Sequence, residues 1–217
     1  MPLKVEADII SHYGFAHPAR VILGGSSRTG KTEFIRKTLK YKLFDFQFSN
    51  IYYFYPGISF GPPVQWEDEI EAEFQYICGL PSEAFFRSVP ENSLIIIDDQ
   101  WSQLITSEEV KMLFKVYSGK RNLSVMVTTQ NYFEGGNSSR TIRNNTTHFV
   151  LFQNIDVGIN NRIVTQMGLK QAFQNAASYA FKRPYNPVIV NMKANLESDK
   201  ARVMTNIFRT PITFANN

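Results

Sequence analysis

The sequence predicts an α/β fold with a mostly parallel central sheet flanked by helices, and three stretches carry that expectation. Gly25-Ser26-Ser27-Arg28-Thr29-Gly30-Lys31-Thr32 fits the phosphate-loop pattern G-x-x-x-x-G-K-[ST] at every fixed position. Ser93-Leu94-Ile95-Ile96-Ile97-Asp98-Asp99 runs an apolar segment into two acids, which describes a strand buried on both faces. Leu123-Ser124-Val125-Met126-Val127-Thr128-Thr129 repeats the apolar run and ends in the amides Gln130-Asn131. In open sheets of this kind ligands bind at the carboxyl ends of the strands, where all three motifs fall.

Arg20-Val21-Ile22-Leu23-Gly24 reads as the strand that enters the phosphate loop. Glu33 to Leu43, with Phe34, Ile35, Thr38 and Leu39 at helical spacing, reads as the helix that leaves it. Glycines let successive backbone N–H groups point inward, and the helix N-terminus adds partial positive charge. Gly25, Ser26, Ser27, Arg28, Thr29 and Gly30 therefore form the phosphate cradle. Lys31 reaches the β- and γ-phosphates, and the Thr32 hydroxyl is the expected Mg²⁺ ligand.

The rest of the chain follows in order. Asn50 to Tyr55 is β-rich and stops at Pro56-Gly57; residues 57–64 form a loop around Pro62-Pro63. Trp66 to Glu73, with Glu67, Asp68, Glu69, Glu71 and Glu73, reads as a solvated helix face. A short strand over Phe74 to Ile77 and a short helix over Ser82 to Ser88 come next. At the end of the second anchor strand Asp98 is placed for the Mg²⁺ shell, and Asp99 to orient or deprotonate the attacking water. Ser107 to Tyr117 is helical, Ser118 to Asn122 breaks it, and Gln130 stands where a γ-phosphate sensor belongs. Tyr132 to Asn145 reads as a glycine-serine loop whose Arg140 and Arg143 are placed to meet a phosphate. A strand over His148 to Phe152, helices over Val157 to Met167 and Gln171 to Phe181, a strand at Pro187 to Asn191 and an extended Val203 to Phe208 complete the chain.

At 217 residues the chain reads as a lead-in, 1–19, followed by a single domain, 20–217. His12 and His17 are expected on loops, His17-Pro18 near enough to the first strand to flank a base. No window has the apolar run of a membrane span, and Met1 to Glu6 lacks the apolar region of a signal peptide. Cys78, the single cysteine, excludes an intrachain disulfide and reads as a small buried hydrophobe. The net charge of +4 is compatible with a polyanionic partner without specifying one.

With these pieces in order, the sequence resembles the packaging ATPases of the FtsK–HerA superfamily. It is most similar to the short forms encoded by poxvirus-like large DNA viruses and by Polinton (Maverick) virus-like transposons. The resemblance rests on Gly24 to Thr32, Leu94 to Asp99, Ser124-Val125 through Thr129-Gln130-Asn131, Ser139-Arg140-Thr141-Ile142, His148 to Phe152, and Thr205-Asn206-Ile207-Phe208. Gly119-Lys120-Arg121-Asn122, where relatives often carry histidines, and Gln153-Asn154-Ile155-Asp156, without a basic residue common in relatives, depart from the pattern. The resemblance implies a RecA-like (ASCE) P-loop NTPase fold with ATP and Mg²⁺ as cofactors. It also implies a ring of subunits, a hexamer, that pumps double-stranded DNA into a preformed capsid through a capsid or portal-vertex protein. The setting implied is the viral assembly site in host cytoplasm or nucleus, or the virion, with no membrane anchor. An arginine supplied across the subunit boundary is then Arg140 first and Arg143 second, with Lys120, Arg121 and the 132–139 loop as DNA contacts. A helicase-like or transposition-associated ATPase, a capsid assembly factor with little turnover, and a preference for GTP over ATP all stay open at this point.

Overall fold

The computed structural model describes residues 13–57, 66–192 and 202–215. His12, the Met1 to Glu6 start and the Pro62-Pro63 loop lie outside the described residues. Strands β1 (Arg20–Gly24), β2 (Asn50–Tyr55), β3 (Glu73–Cys78), β4 (Leu94–Ile97), β5 (Ser124–Thr129), β6 (His148–Leu151), β7 (Val188–Asn191), β8 (Val203–Thr205) and β9 (Ile212–Phe214) form one sheet. Its order is β3-β2-β4-β5-β1-β6-β7-β8-β9. Pairings from β3 through β6 are parallel, and those from β6 through β9 antiparallel. The fold is α/β with a mostly parallel central sheet, as expected.

Strand residues alternate between two apolar layers, because successive side chains leave a strand on opposite faces. Ile22, Ile95, Ile97, Val125, Val127, Phe149 and Leu151 enter one layer. Val21, Leu23, Leu94, Ile96, Met126 and Val150 enter the other. Helix α1 (Lys31–Lys40) covers the second layer with Phe34, Ile35 and Leu39. Helices α2 (Glu83–Ser88), α3 (Trp101–Leu104) and α4 (Glu108–Met112) cover the first. Both layers being filled explains why β1, β4 and β5 are continuous apolar runs rather than alternating ones.

Several expectations need correction. Residues 66–72 form turns rather than a helix, with Trp66 and Ile70 buried; Glu69 reaches across to pair with Arg36 and Lys40 of α1. After α4 the chain does not break at Ser118 but continues through a π-helical segment, Leu113–Tyr117, into α5 (Ser118–Lys120). The turn comes at Asn122, whose φ of 48° is left-handed. The glycine-serine stretch is not all loop: Asn137–Asn144 is helix α6, held down by buried Ser139 and Ile142. Helices α7 (Val157–Gln166) and α8 (Lys170–Ala180) meet at Gly168 as read from sequence. Cys78 is exposed, not buried. His17 accepts or donates at Ser124 Oγ (2.7 Å) beside the start of β5, so it lies at the amino edge of the sheet, away from any phosphate-loop ligand. The Thr205 to Phe208 stretch turns after β8 and lays Phe208 against Phe34 of α1, ring centroids 5.0 Å apart.

Candidate functional site

Parallel pairing of β4, β5 and β1 aligns their carboxyl ends, with Ile97 opposite Val127 and Gly24 opposite Thr129. The three motifs therefore converge. A cavity of about 370 Å³ opens there, lined by the loop residues Ser27, Arg28 and Gly30 and by Lys31, Thr32, Asp98, Asp99, Thr128 and Gln130. Of the sequence-predicted residues, Ser27, Arg28, Gly30, Lys31, Thr32, Asp98, Asp99 and Gln130 line this cavity, while Gly25, Ser26 and Thr29 do not. A larger cavity, about 480 Å³, lies at the far end of α1 among Phe44, Phe46 and Phe48 and holds none of these groups.

The loop is shaped by close approach. A Cβ on Gly24 would fall 1.8 Å from the Tyr132 hydroxyl, and one on Gly25 2.6 Å from Phe152 Cβ. Gly30 has φ 95°, the left-handed conformation that turns the loop into α1. Thr29 Oγ1 donates to the Ser26 carbonyl (2.8 Å), and the Gly25 N–H donates to the Thr129 carbonyl (3.2 Å), tying the loop to β5. Lys31 Nζ donates to the Gly25 and Ser26 carbonyls, each at 2.8 Å, which folds the ammonium over the cradle. Burial lowers its pKa, while the nearby charges of Asp99 and Asp98 oppose that shift.

Asp98 is held by three hydroxyls. Tyr53 donates to Oδ2 at 2.5 Å, Thr128 donates to Oδ1 at 2.6 Å, and Thr32 donates to Oδ2 at 3.3 Å. Burial, then the Asp98 charge, pushes the Tyr53 phenol far up, so it stays a donor. Thr128 Oγ1 also accepts from the Asp99 backbone N–H at 2.8 Å. That bond stabilises Asp99 at φ 51°, a left-handed conformation that costs a non-glycine residue about 1–3 kcal/mol and re-aims its side chain. Thr32 and Asp98 offer a hydroxyl and a carboxylate, hard oxygens that suit Mg²⁺, which takes few protein ligands beside phosphate. Among the described residues no cluster of three or more His, Cys, Asp or Glu forms a self-sufficient metal cage.

Tyr53, Thr128 and Asn154 are site residues that sequence reasoning missed. Asn154 Oδ1 accepts from Ser26 Oγ (3.2 Å), and its Nδ2 donates to the Gln130 carbonyl (3.1 Å), bridging the loop and the end of β5. Its signal was its place in the segment that follows β6, three residues beyond Leu151.

Arg140 and Arg143 stand outside this cavity. They line a separate cleft of about 560 Å³ with Arg162 and Phe133. Arg143 donates through Nη1 to the Tyr132 carbonyl (2.7 Å) and to Ser139 Oγ (2.5 Å), and lies 4.6 Å from the Phe133 centroid. Arg162 lies 4.1 Å from the same ring. Burial first, then Arg162 and Arg140, lower the Arg143 pKa. Arg140 is exposed. Of the expected DNA contacts, Arg121 is committed to the carbonyls of Phe86 and Val89, and Tyr132 is buried; Lys120 is exposed.

No protein-family model matches the chain. No curated protein matches it by sequence. Solved structures do resemble it. The genome-packaging NTPase B204 from Sulfolobus turreted icosahedral virus 2, solved with ATP-gammaS, is 12% identical with a TM-score of 0.51, over 80% of this chain and 91% of that one. The DNA-packaging ATPase B204 from Sulfolobus turreted icosahedral virus is 12% identical with a TM-score of 0.53, over 81% and 93%. The flagellar accessory protein FlaH from Methanocaldococcus jannaschii is 14% identical with a TM-score of 0.53, over 100% and 98%. At such identities the likeness establishes the shared α/β fold. Among the described residues no helix is long and apolar enough to cross a membrane.

Proposed function

We propose that this chain is an ATP-hydrolysing motor that moves double-stranded DNA into a capsid, working as a ring of identical subunits. The observation that carries the reading is the convergence of Lys31, Thr32, Asp98, Asp99 and Gln130 on one cavity at the carboxyl edge of the sheet. In P-loop folds that edge is where a nucleoside triphosphate meets the groups that cleave it.

The roles follow from position. Backbone N–H groups of Gly25 to Gly30 cradle the β-phosphate, and Lys31 swings from the loop carbonyls to the β- and γ-oxygens. Thr32 and Asp98 would hold Mg²⁺, which when bound neutralises charge on the phosphate oxygens. Asp99 orients a water and takes its proton as oxygen attacks the γ-phosphorus; the bond to the β–γ bridging oxygen breaks, releasing ADP and phosphate. Gln130, whose carbonyl is held by Asn154, reads whether the γ-phosphate is present. Arg140 completes the site of a neighbouring subunit. Its exposure supports it over Arg143, whose guanidinium is already bound to Tyr132 and Ser139.

The likeness to B204 supports packaging as the task, and the narrower Polinton or poxvirus-like assignment rests on the sequence motifs alone. A sequence-indifferent motor grips backbone phosphates, so duplex DNA should stimulate hydrolysis with steep salt dependence and without unwinding a forked substrate. Unwinding would point to a helicase instead. Turnover indifferent to DNA at every salt concentration would refute the motor.

A further inference from the structure

We infer that Tyr185 is the platform on which the nucleobase stacks, an inference that rests on the phosphate-binding reading above. The sheet order supplies the direction. Asp98, Asp99 and Gln130 end β4 and β5, which lie on one side of β1 and fix the γ-phosphate end there. An extended triphosphate in the cradle must then send its nucleoside to the opposite side of β1, over β6 and β7.

The turn that enters β7 stands at that place. β7 runs antiparallel to β6, with Val188 opposite Leu151, so its first residue lies at the same edge as the phosphate loop. Tyr185 belongs to this turn and reaches the loop directly: a Cβ on Gly30 would meet Tyr185 Cδ1 at 3.0 Å and Tyr185 Cβ at 3.3 Å. Yet the residue is 68% exposed, the most open large aromatic among the described residues. It also has φ 61°, a left-handed conformation disfavoured for a bulky side chain. Burial of the ring in the core does not account for this arrangement. A face offered to a flat heterocycle does, since every base has a π-face and stacking needs no hydrogen-bond partner. Such a platform prefers purines to pyrimidines through stacked area and discriminates weakly between adenine and guanine.

The test compares ATP with inorganic tripolyphosphate, which carries the phosphates and lacks the base, on the full chain. Tyr185→Ala should weaken ATP binding about tenfold while leaving tripolyphosphate binding unchanged, and Tyr185→Phe should bind ATP as the parent does. Lys31→Ala should weaken both ligands. Equal loss of ATP and tripolyphosphate in Tyr185→Ala would make the ring a prop for Gly30 and overturn the platform. Undiminished ATP affinity would overturn it as well, with the phosphate site intact. A parent protein that binds neither ligand would bring down the phosphate site and the platform together.

Discussion

Two cavities in this fold follow opposite electrostatic plans. In the phosphate-loop cavity cation and acids share one lining: Lys31 faces Asp98 and Asp99, and Asp98 is held by the hydroxyls of Tyr53, Thr128 and Thr32. In the cleft beside α6, Arg140, Arg143 and Arg162 gather with no acid among the lining residues. Like charges confined together raise the free energy of the protein unless something anionic arrives. The first cavity is preorganised; the second has no acid of its own among the described residues that line it. The contrast fits the proposed division of labour, in which one subunit assembles the chemistry and Arg140 serves a neighbour's site.

The largest expected effect tests that division. Arg140→Ala should cut turnover about 10³-fold in the assembled protein and leave nucleotide affinity unchanged, as for an arginine that acts in trans. Mixing Arg140→Ala with Asp99→Asn subunits should recover activity that neither variant has alone, because intact halves then meet across a boundary. No recovery would collapse the comparison into one cavity acting in cis. Next, Lys31→Ala should lower turnover about 10²–10³-fold and weaken phosphate binding, measured by calorimetry. If only the Arg140 change affected turnover, the loop cavity would lose its assigned chemistry.

Smaller effects sharpen the first cavity. Thr128→Val removes the donor to Asp98 and leaves the Asp99 N–H without its acceptor. Urea unfolding should show about 1–3 kcal/mol lost, with turnover falling about tenfold. Tyr132→Phe should be close to neutral in stability, within about 1 kcal/mol, because its buried hydroxyl has no hydrogen-bond partner among the described residues and the ring packs over Gly24.

The loop and the acidic strand end were legible in the sequence because their residues are contiguous and each motif carries its own local chemistry. Strands β1, β4 and β5 were legible for the same reason, since burial on both faces leaves an apolar run of strand length; β9 (Ile212–Phe214), three half-buried residues at the sheet edge, was not read at all. Tyr53, Thr128 and Asn154 were not, since their roles arise from register between strands far apart in sequence. Tyr53 reaches Asp98 only because β2 lies beside β4. Helix α6 was hidden for another reason. Gly135-Gly136-Asn137-Ser138-Ser139 has loop propensity, and the burial of Ile142 against the core overrides it. The acidic run over 67–73 misled similarly: charges that read as a solvated helix instead brace α1 through Glu69.

If Asp99 acts on the attacking water, as proposed, removing its carboxylate must stop hydrolysis and spare binding. Asparagine tolerates the left-handed backbone at this position, so Asp99→Asn should fold, keep its bond to Thr128 and bind ATP normally. Phosphate release from ATP and Mg²⁺ with duplex DNA present is the direct measurement. Asp99→Asn should bind nucleotide fully and release phosphate about 10³-fold more slowly; release at the parent rate would remove Asp99 from the chemistry.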